Sequence, residues 1–216
     1  MLEQLPSLLS AIVGDGFTLA NAEGGGLVGF AASRLITTLL ARRGEAGRSI
    51  LIQELRHGER SMTSVEIEDS VAVVYRYLRA AQEGTARLNL RLMAKVIAGR
   101  ARLGNLVADE FLADAEIIAS LRRNEIILLA TMYQASIATD LGDPEAWAEK
   151  KLVPEPFLTK DELRATKAAV VRTGLIETAS GYSSIGYTLT PLLDRLISLA
   201  DIEAALRTES AECSPD

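Results

Sequence analysis

Cysteine and histidine are almost missing from this chain. Among 216 residues there is one cysteine, Cys213, and one histidine, His57. A single thiol cannot close an intramolecular disulfide, so nothing asks for an oxidising compartment. One His and one Cys cannot build a zinc site without several carboxylates, and no close cluster of carboxylates has ligand spacing. Aromatic residues are 5% of the chain and prolines number six. With so little proline and a core filled by Ala, Leu, Val and Ile, the composition favours helices. No apolar run reaches the ~20 residues of a spanning helix. The nearest, LVGFAASRLITTLLA at 27–41, is shorter and is interrupted by Arg34. The opening MLEQLPSLLSAIVGDG lacks a basic n-region and carries Glu3, so it is not read as a secretory signal. The expectation is a cytoplasmic protein. A net charge of −6 argues against a surface that is basic all over, but leaves room for a local basic patch.

The same scarcity argues against catalysis. A serine nucleophile would need His57 as its base, and although Ser61 and Ser64 are near it in sequence, no nucleophile-elbow motif surrounds them. Glu66, Glu68 and Asp69 cluster at an expected helix start, where acids complement the helix dipole without any chemistry. VGDGFTLANAEGGGLVGF has glycines but neither the lysine and Ser/Thr of a phosphate loop nor a preceding strand. No catalytic residue, metal ligand or cofactor is expected.

What is present is helical periodicity broken by glycine. Residues 1–13 read as a short helix, and 14–26 hold five of the sixteen glycines. Helices follow over about 27–43, ending near Gly44, and over 45–57, with HGERSMTS as a polar break. From Ser64, residues Ile67, Val71, Val74, Leu78 and Ala81 fall on one helical face, and Gly84 closes the segment. Further helices are expected over 85–103, stopped by Gly104, and over 106–121, with Val107, Phe111, Ile118 and Leu121 along one side. Short connections between them favour an antiparallel bundle. Small residues Gly29, Ala32 and Ser33 would let 27–41 pack closely on its own chain, on a second copy, or on a membrane.

From Arg122 the pattern changes. NEIILLATMYQASIA is an apolar helix with Asn124 as a candidate N-cap, and a connection at 140–158 carries Trp147 and room for a short helix at 144–151. Thr159 with Glu162 three residues on is a capping box. That helix runs to about Thr173, with Gly174 at the position past its end. Leu175-Ile176 and Tyr187-Thr188-Leu189 read as strands around the turn ASGYSSIG, and Thr190-Pro191 starts another helix. The tail from about 208 reads as acidic and frayed.

The run VRTGLIE…GYSSIGYTLTPLLDRL resembles the end of a winged-helix domain: a Gly-Leu-Ile step into a strand, a hairpin wing, and a Leu-Thr-Pro start to the next helix. The likeness spans about 122–207 and is clearest over 160–195. The long connection with Pro144, Pro154 and Pro156 departs from the tight turn that joins the second and third helices of that fold. The layout, a helical region followed by RTGLI…YTLTP, also resembles bacterial proteins of the abortive-infection alpha type. The expected fold is therefore mainly α: a bundle-like helical region at 1–121, a winged-helix-like domain with a small β-hairpin at 122–207, and a flexible tail at 208–216.

Two basic stretches then become candidate sites. The winged-helix resemblance makes 160–173 a recognition helix, on which Lys160, Arg164 and Lys167 share one stripe as phosphate contacts require. Tyr182, Ser183 and Ser184 would sit in the wing and touch the nucleic-acid backbone, although a polar turn needs no such contact. The second stretch runs from Arg76 to Arg102, with six arginines and one lysine against one acid, Glu83. There Arg87, Arg91, Lys95 and Arg102 form a stripe, Leu92, Met93, Val96 and Ile97 lie opposite, and Arg100 falls on the apolar side. This stripe would pair with the four acids of 104–121, contact nucleic acid, or lie on anionic lipid. The leading expectation is a non-enzymatic DNA-binding or regulatory protein that forms a homo-oligomer. The alternative is a protein-interaction or membrane-associated component, in phage defence for instance, whose winged helix is structural.

Overall fold

The computed structural model describes residues 27–55, 64–138, 144–180 and 185–213. The helix expected at 1–13, the glycine-rich 14–26, the break holding His57 and Ser61, and Tyr182, Ser183 and Ser184 lie outside them. The chain divides into two compact units, Met1–Ala119 and Ser120–Asp216. It is mainly helical, with one two-stranded antiparallel hairpin among the described residues.

The first unit contains α1 (Leu27–Leu55), α2 (Ser64–Glu83), α3 (Arg87–Leu103) and α4 (Ala108–Ser120). Helix α1 packs on both α2 and α3. It is continuous where a break at Gly44 is expected. The glycines here serve close packing: a β-carbon built on Gly47 would stand 2.6 Å from the Ala81 β-carbon, so α1 and α2 approach closer than any side chain at 47 permits. The Tyr77 hydroxyl, fully buried in the same contact, donates to the Gly47 carbonyl at 3.0 Å. Val73, Val74, Leu78 and Ala81 complete the buried face of α2.

Helix α3 is buried on nearly every side, from Leu88 to Ala94 and again from Val96 to Arg100. Gly104, left-handed at φ 68°, ends it. Helix α4 buries Phe111, Asp114, Ala115 and Ile118, while Val107, expected on that apolar side, is 40% exposed.

The second unit contains α5 (Arg123–Ile137), α6 (Pro144–Leu152), α7 (Lys160–Val170), a 3-10 turn at Val171–Thr173, β1 (Ile176–Ser180), β2 (Ile185–Leu189), α8 (Pro191–Leu199) and α9 (Ile202–Cys213). Its core gathers Ile126, Leu128, Leu129, Phe157, Leu163, Val170, Ile176, Leu193 and Leu196. Arg122 rather than Asn124 precedes α5, because Glu125 reaches back to the Arg122 N–H at 2.8 Å. Thr159 caps α7 by accepting from the Glu162 N–H at 3.2 Å, and Glu162 in return accepts from the Leu158 N–H at 2.9 Å. Gly174 takes φ 70° past the 3-10 turn. The strands pair Ile176 with Leu189 through Ser180 with Ile185. Thr190 precedes Pro191 as expected, yet its hydroxyl does not cap α8. It donates to the Gly174 carbonyl at 2.7 Å and closes the base of the hairpin. The tail expected to fray from 208 is helical through Cys213, because α9 packs on α5 and Glu209 is buried there.

The two α1 glycines separate packing from propensity. A β-carbon on Gly44 would meet only Gln82 at 3.6 Å, an ordinary contact. Gly44→Ala should therefore gain up to about 1 kcal/mol from helix propensity. Gly47→Val should lose roughly 2 kcal/mol or more from overpacking against Ala81. Thermal unfolding followed by circular dichroism reads both signs.

Candidate functional site

A helix that reads DNA must turn its cations outward. Two of the three α7 cations engage groups of their own unit. Lys160 ion-pairs with Glu149 on α6. That hydrogen bond, with the charges of Lys167 and Arg164, holds the Glu149 carboxyl below its usual range. All three members of the expected stripe therefore act on one acid of the neighbouring helix. Lys167 is only 6% exposed, and its ammonium stands 5.7 Å from the centre of the Tyr187 ring on β2, a cation–π distance. Its stem packs where a purely polar stripe would not, because a long side chain can bury its methylenes. Arg164 is exposed, and Lys160 keeps 73% of its side-chain surface exposed despite its pair with Glu149.

The outward face of α7 is accordingly different from the one the sequence suggests. Its exposed residues are Lys160, Asp161, Glu162, Arg164, Ala165, Ala168 and Ala169, two acids, two bases and three alanines, with Lys160 paired to Glu149. Leu158, one residue before the cap, is 80% exposed.

The basic side of α3 is also mostly interior. Arg91 is fully buried, so it is not part of any exposed phosphate surface; its charge and that of Glu54 act on the buried Tyr77 phenol, whose acidity burial suppresses first of all. Lys95 pairs with Glu54 at 3.1 Å, both side chains largely covered. Arg87 and Arg102 are exposed. Arg100, on the apolar side, ends in ion pairs with Glu110 and, at 2.6 Å, with the fully buried Asp114. Burial opposes its charge, and the bonds to Asp114 and Glu110 outweigh that and raise its pKa. Arg76 meets Glu116 at 3.9 Å. A helical wheel separates faces correctly here, but it does not say how many faces the neighbours cover.

Two polar groups that sequence reasoning passes over matter more. Arg172 grips Glu125 through both guanidinium nitrogens, at 2.7 and 3.0 Å, and also donates to the carbonyls of Ala169 and Ser120. Burial would raise the Glu125 carboxyl, but Arg172 and the Arg122 N–H hold it below its usual value. The pair joins the start of α5 to the end of α7 across 47 residues, and no local motif signals it. The other is Arg43 on α1, which lines a cleft with Arg87.

Among the described residues no three His, Cys, Asp or Glu side chains gather as a metal site. No helix of these residues is long and apolar enough to cross a membrane. No family model matches the chain. No curated protein and no solved structure matches it either.

Charge reversal separates the two kinds of α7 cation. Lys167→Glu should cost roughly 2 kcal/mol or more, because it places a carboxylate in a buried site tuned for a cation. Arg164→Glu should stay within about 0.5 kcal/mol. Urea unfolding followed by Trp147 fluorescence, in the same unit, reads the difference.

Proposed function

We propose that this chain is a non-catalytic protein-interaction component, and that its hairpin unit is a winged-helix-type scaffold that docks a protein partner through the outward face of α7. The order helix, helix, helix, strand, strand supports the winged-helix reading. The observation that carries the function is the engagement of two of the three α7 cations within the fold: Lys167 is buried against Tyr187, and Lys160 is paired with Glu149 at the surface. Nucleic-acid binding draws on released counterions, and a helix whose two exposed cations, Arg164 and the already paired Lys160, stand beside Asp161 and Glu162 has little to release.

The same face suits a protein. Ala165, Ala168 and Ala169 are small enough for another backbone to approach closely, and Leu158 adds an exposed apolar anchor at one end. Asp161 and Glu162 call for basic groups on the rim of the partner. On this reading the partner is an amphipathic segment with an apolar centre and a cationic edge.

Fluorescence anisotropy of a labelled random duplex over a salt series tests the reading against DNA binding. The expected result is no salt-sensitive binding by the wild-type protein. Binding at low salt that falls steeply with added salt and is lost in Arg164→Glu contradicts it. A photo-crosslinking residue at position 165, irradiated in cells, supplies the positive arm: a discrete nuclease-resistant protein adduct is expected, and a nucleic-acid adduct or none at all counts against docking by this face.

A further inference from the structure

We infer that the corner between α3 and α4 is a self-association surface, through which two copies of this chain pair about a two-fold axis. Leu103 is 67% exposed at the end of α3, and Val107 is exposed just before α4. Arg102 precedes the two in the chain and Asp109 follows them, both exposed. Arg100 sets the apolar pair together. It reaches from α3 to Glu110 and Asp114 on α4. Leu103 stands three residues beyond Arg100, while Val107 stands three before Glu110 and seven before Asp114. Those spacings keep residues on one side of a helix. Leu103 and Val107 therefore continue the seam where α3 meets α4, outward past its buried end.

The corner is rigid. The Gly104 N–H donates to the Ala101 carbonyl at 3.3 Å and the Asn105 N–H to the Arg100 carbonyl at 3.2 Å, the paired bonds of a helix end closed by a left-handed glycine. Val107 is fixed from the other side, its carbonyl accepting from the Phe111 N–H at 3.1 Å. Leu106, between them, is buried, so the turn sends one apolar side chain inward and presents the two that flank it. A lone exposed leucine on a protein surface needs no explanation. Two apolar residues held at one closed turn form a patch that loses little freedom when it is covered.

The charges choose the occupant. A partner carrying one sign of charge would meet either Arg102 or Asp109 unfavourably. A second copy, turned by half a revolution, sets acid against Arg102 and base against Asp109, with the Leu103 and Val107 side chains of both copies between them. The patch is small beside a standard interface, so a dissociation constant on the order of 10–100 μM is expected. It lies within the first unit, and the inference does not depend on the reading of α7.

Sedimentation velocity of the full chain between about 1 and 300 μM is the test. A concentration-dependent equilibrium of monomer and dimer is expected. Leu103→Glu should raise the dissociation constant roughly tenfold or more, because it places a carboxylate in the apolar centre. Arg102→Glu and Asp109→Arg should each weaken the dimer when alone, by setting like charges together. An equimolar mixture of these two variants should recover it, because the mixed pair meets opposite charges at both contacts. Far-UV circular dichroism checks that each variant keeps its helices. Should Asp109→Arg unfold, Leu103→Glu and Val107→Ser still decide, since both should weaken the dimer. The inference is overturned if the wild-type chain stays monomeric throughout, if the folded Leu103→Glu variant dimerises as tightly as the wild type, or if the mixture associates no better than its two folded components.

Discussion

A cation taken out of water must meet a carboxylate, an aromatic face or a set of carbonyls, and the structure of this protein depends on that constraint. Arg100 is 1% exposed inside the helical unit and is held by Asp114, which is itself fully buried. Removing either partner would take away the closest opposite charge from the other in a medium where that loss is far more costly than a lost neutral hydrogen bond. The pair therefore fixes how α3 meets α4, and the buried Asn89 side chain, donating to the Ile118 carbonyl at 2.6 Å, fixes the same two helices at their other ends. Lys95 with Glu54 does the corresponding work between α3 and α1.

The second unit repeats the solution with other residues. Glu125 stands at the start of α5, where its carboxylate answers the Arg122 N–H, and Arg172 satisfies its remaining lone pairs while also closing the end of α7. Lys167 finds the Tyr187 ring. In both units a residue that looks like surface charge in the sequence is a fastening between elements. This is why the proposed reading moves from nucleic acid toward protein: Lys167 is buried and Lys160 is paired, so two of the three α7 cations already have partners.

Much of this fold is legible in the sequence because it is written in local chemistry. Gly104 ends α3, Thr159 and Glu162 start α7, and Gly174 marks its end, each through contacts within a few residues. Arg100, on the apolar side of the wheel, ends in an ion pair, since one helix of bases is followed at once by one of acids. What escapes is what only packing decides. Gly44 looks like a helix stop, yet α1 runs through it, and Gly47 permits α1 to press against Ala81, 34 positions beyond it. Arg91 sits on a polar stripe of the wheel, but α3 is enclosed on that side too. Lys167 and Arg164 are indistinguishable in sequence, and the hairpin covers only the first. Arg43 carries no signal at all until Gly84 is folded against it.

The central claim is that buried cations hold these elements together, and a double-mutant cycle on Arg100 and Asp114 tests it most directly. Urea unfolding of Arg100→Leu, Asp114→Leu and the double variant, followed by far-UV circular dichroism, gives the three free energies. Each single change is predicted to cost about 3–5 kcal/mol, and the double to cost well below their sum, because the apolar pair leaves no stranded charge. Single changes that each cost under about 1 kcal/mol, or that simply add, would contradict the claim.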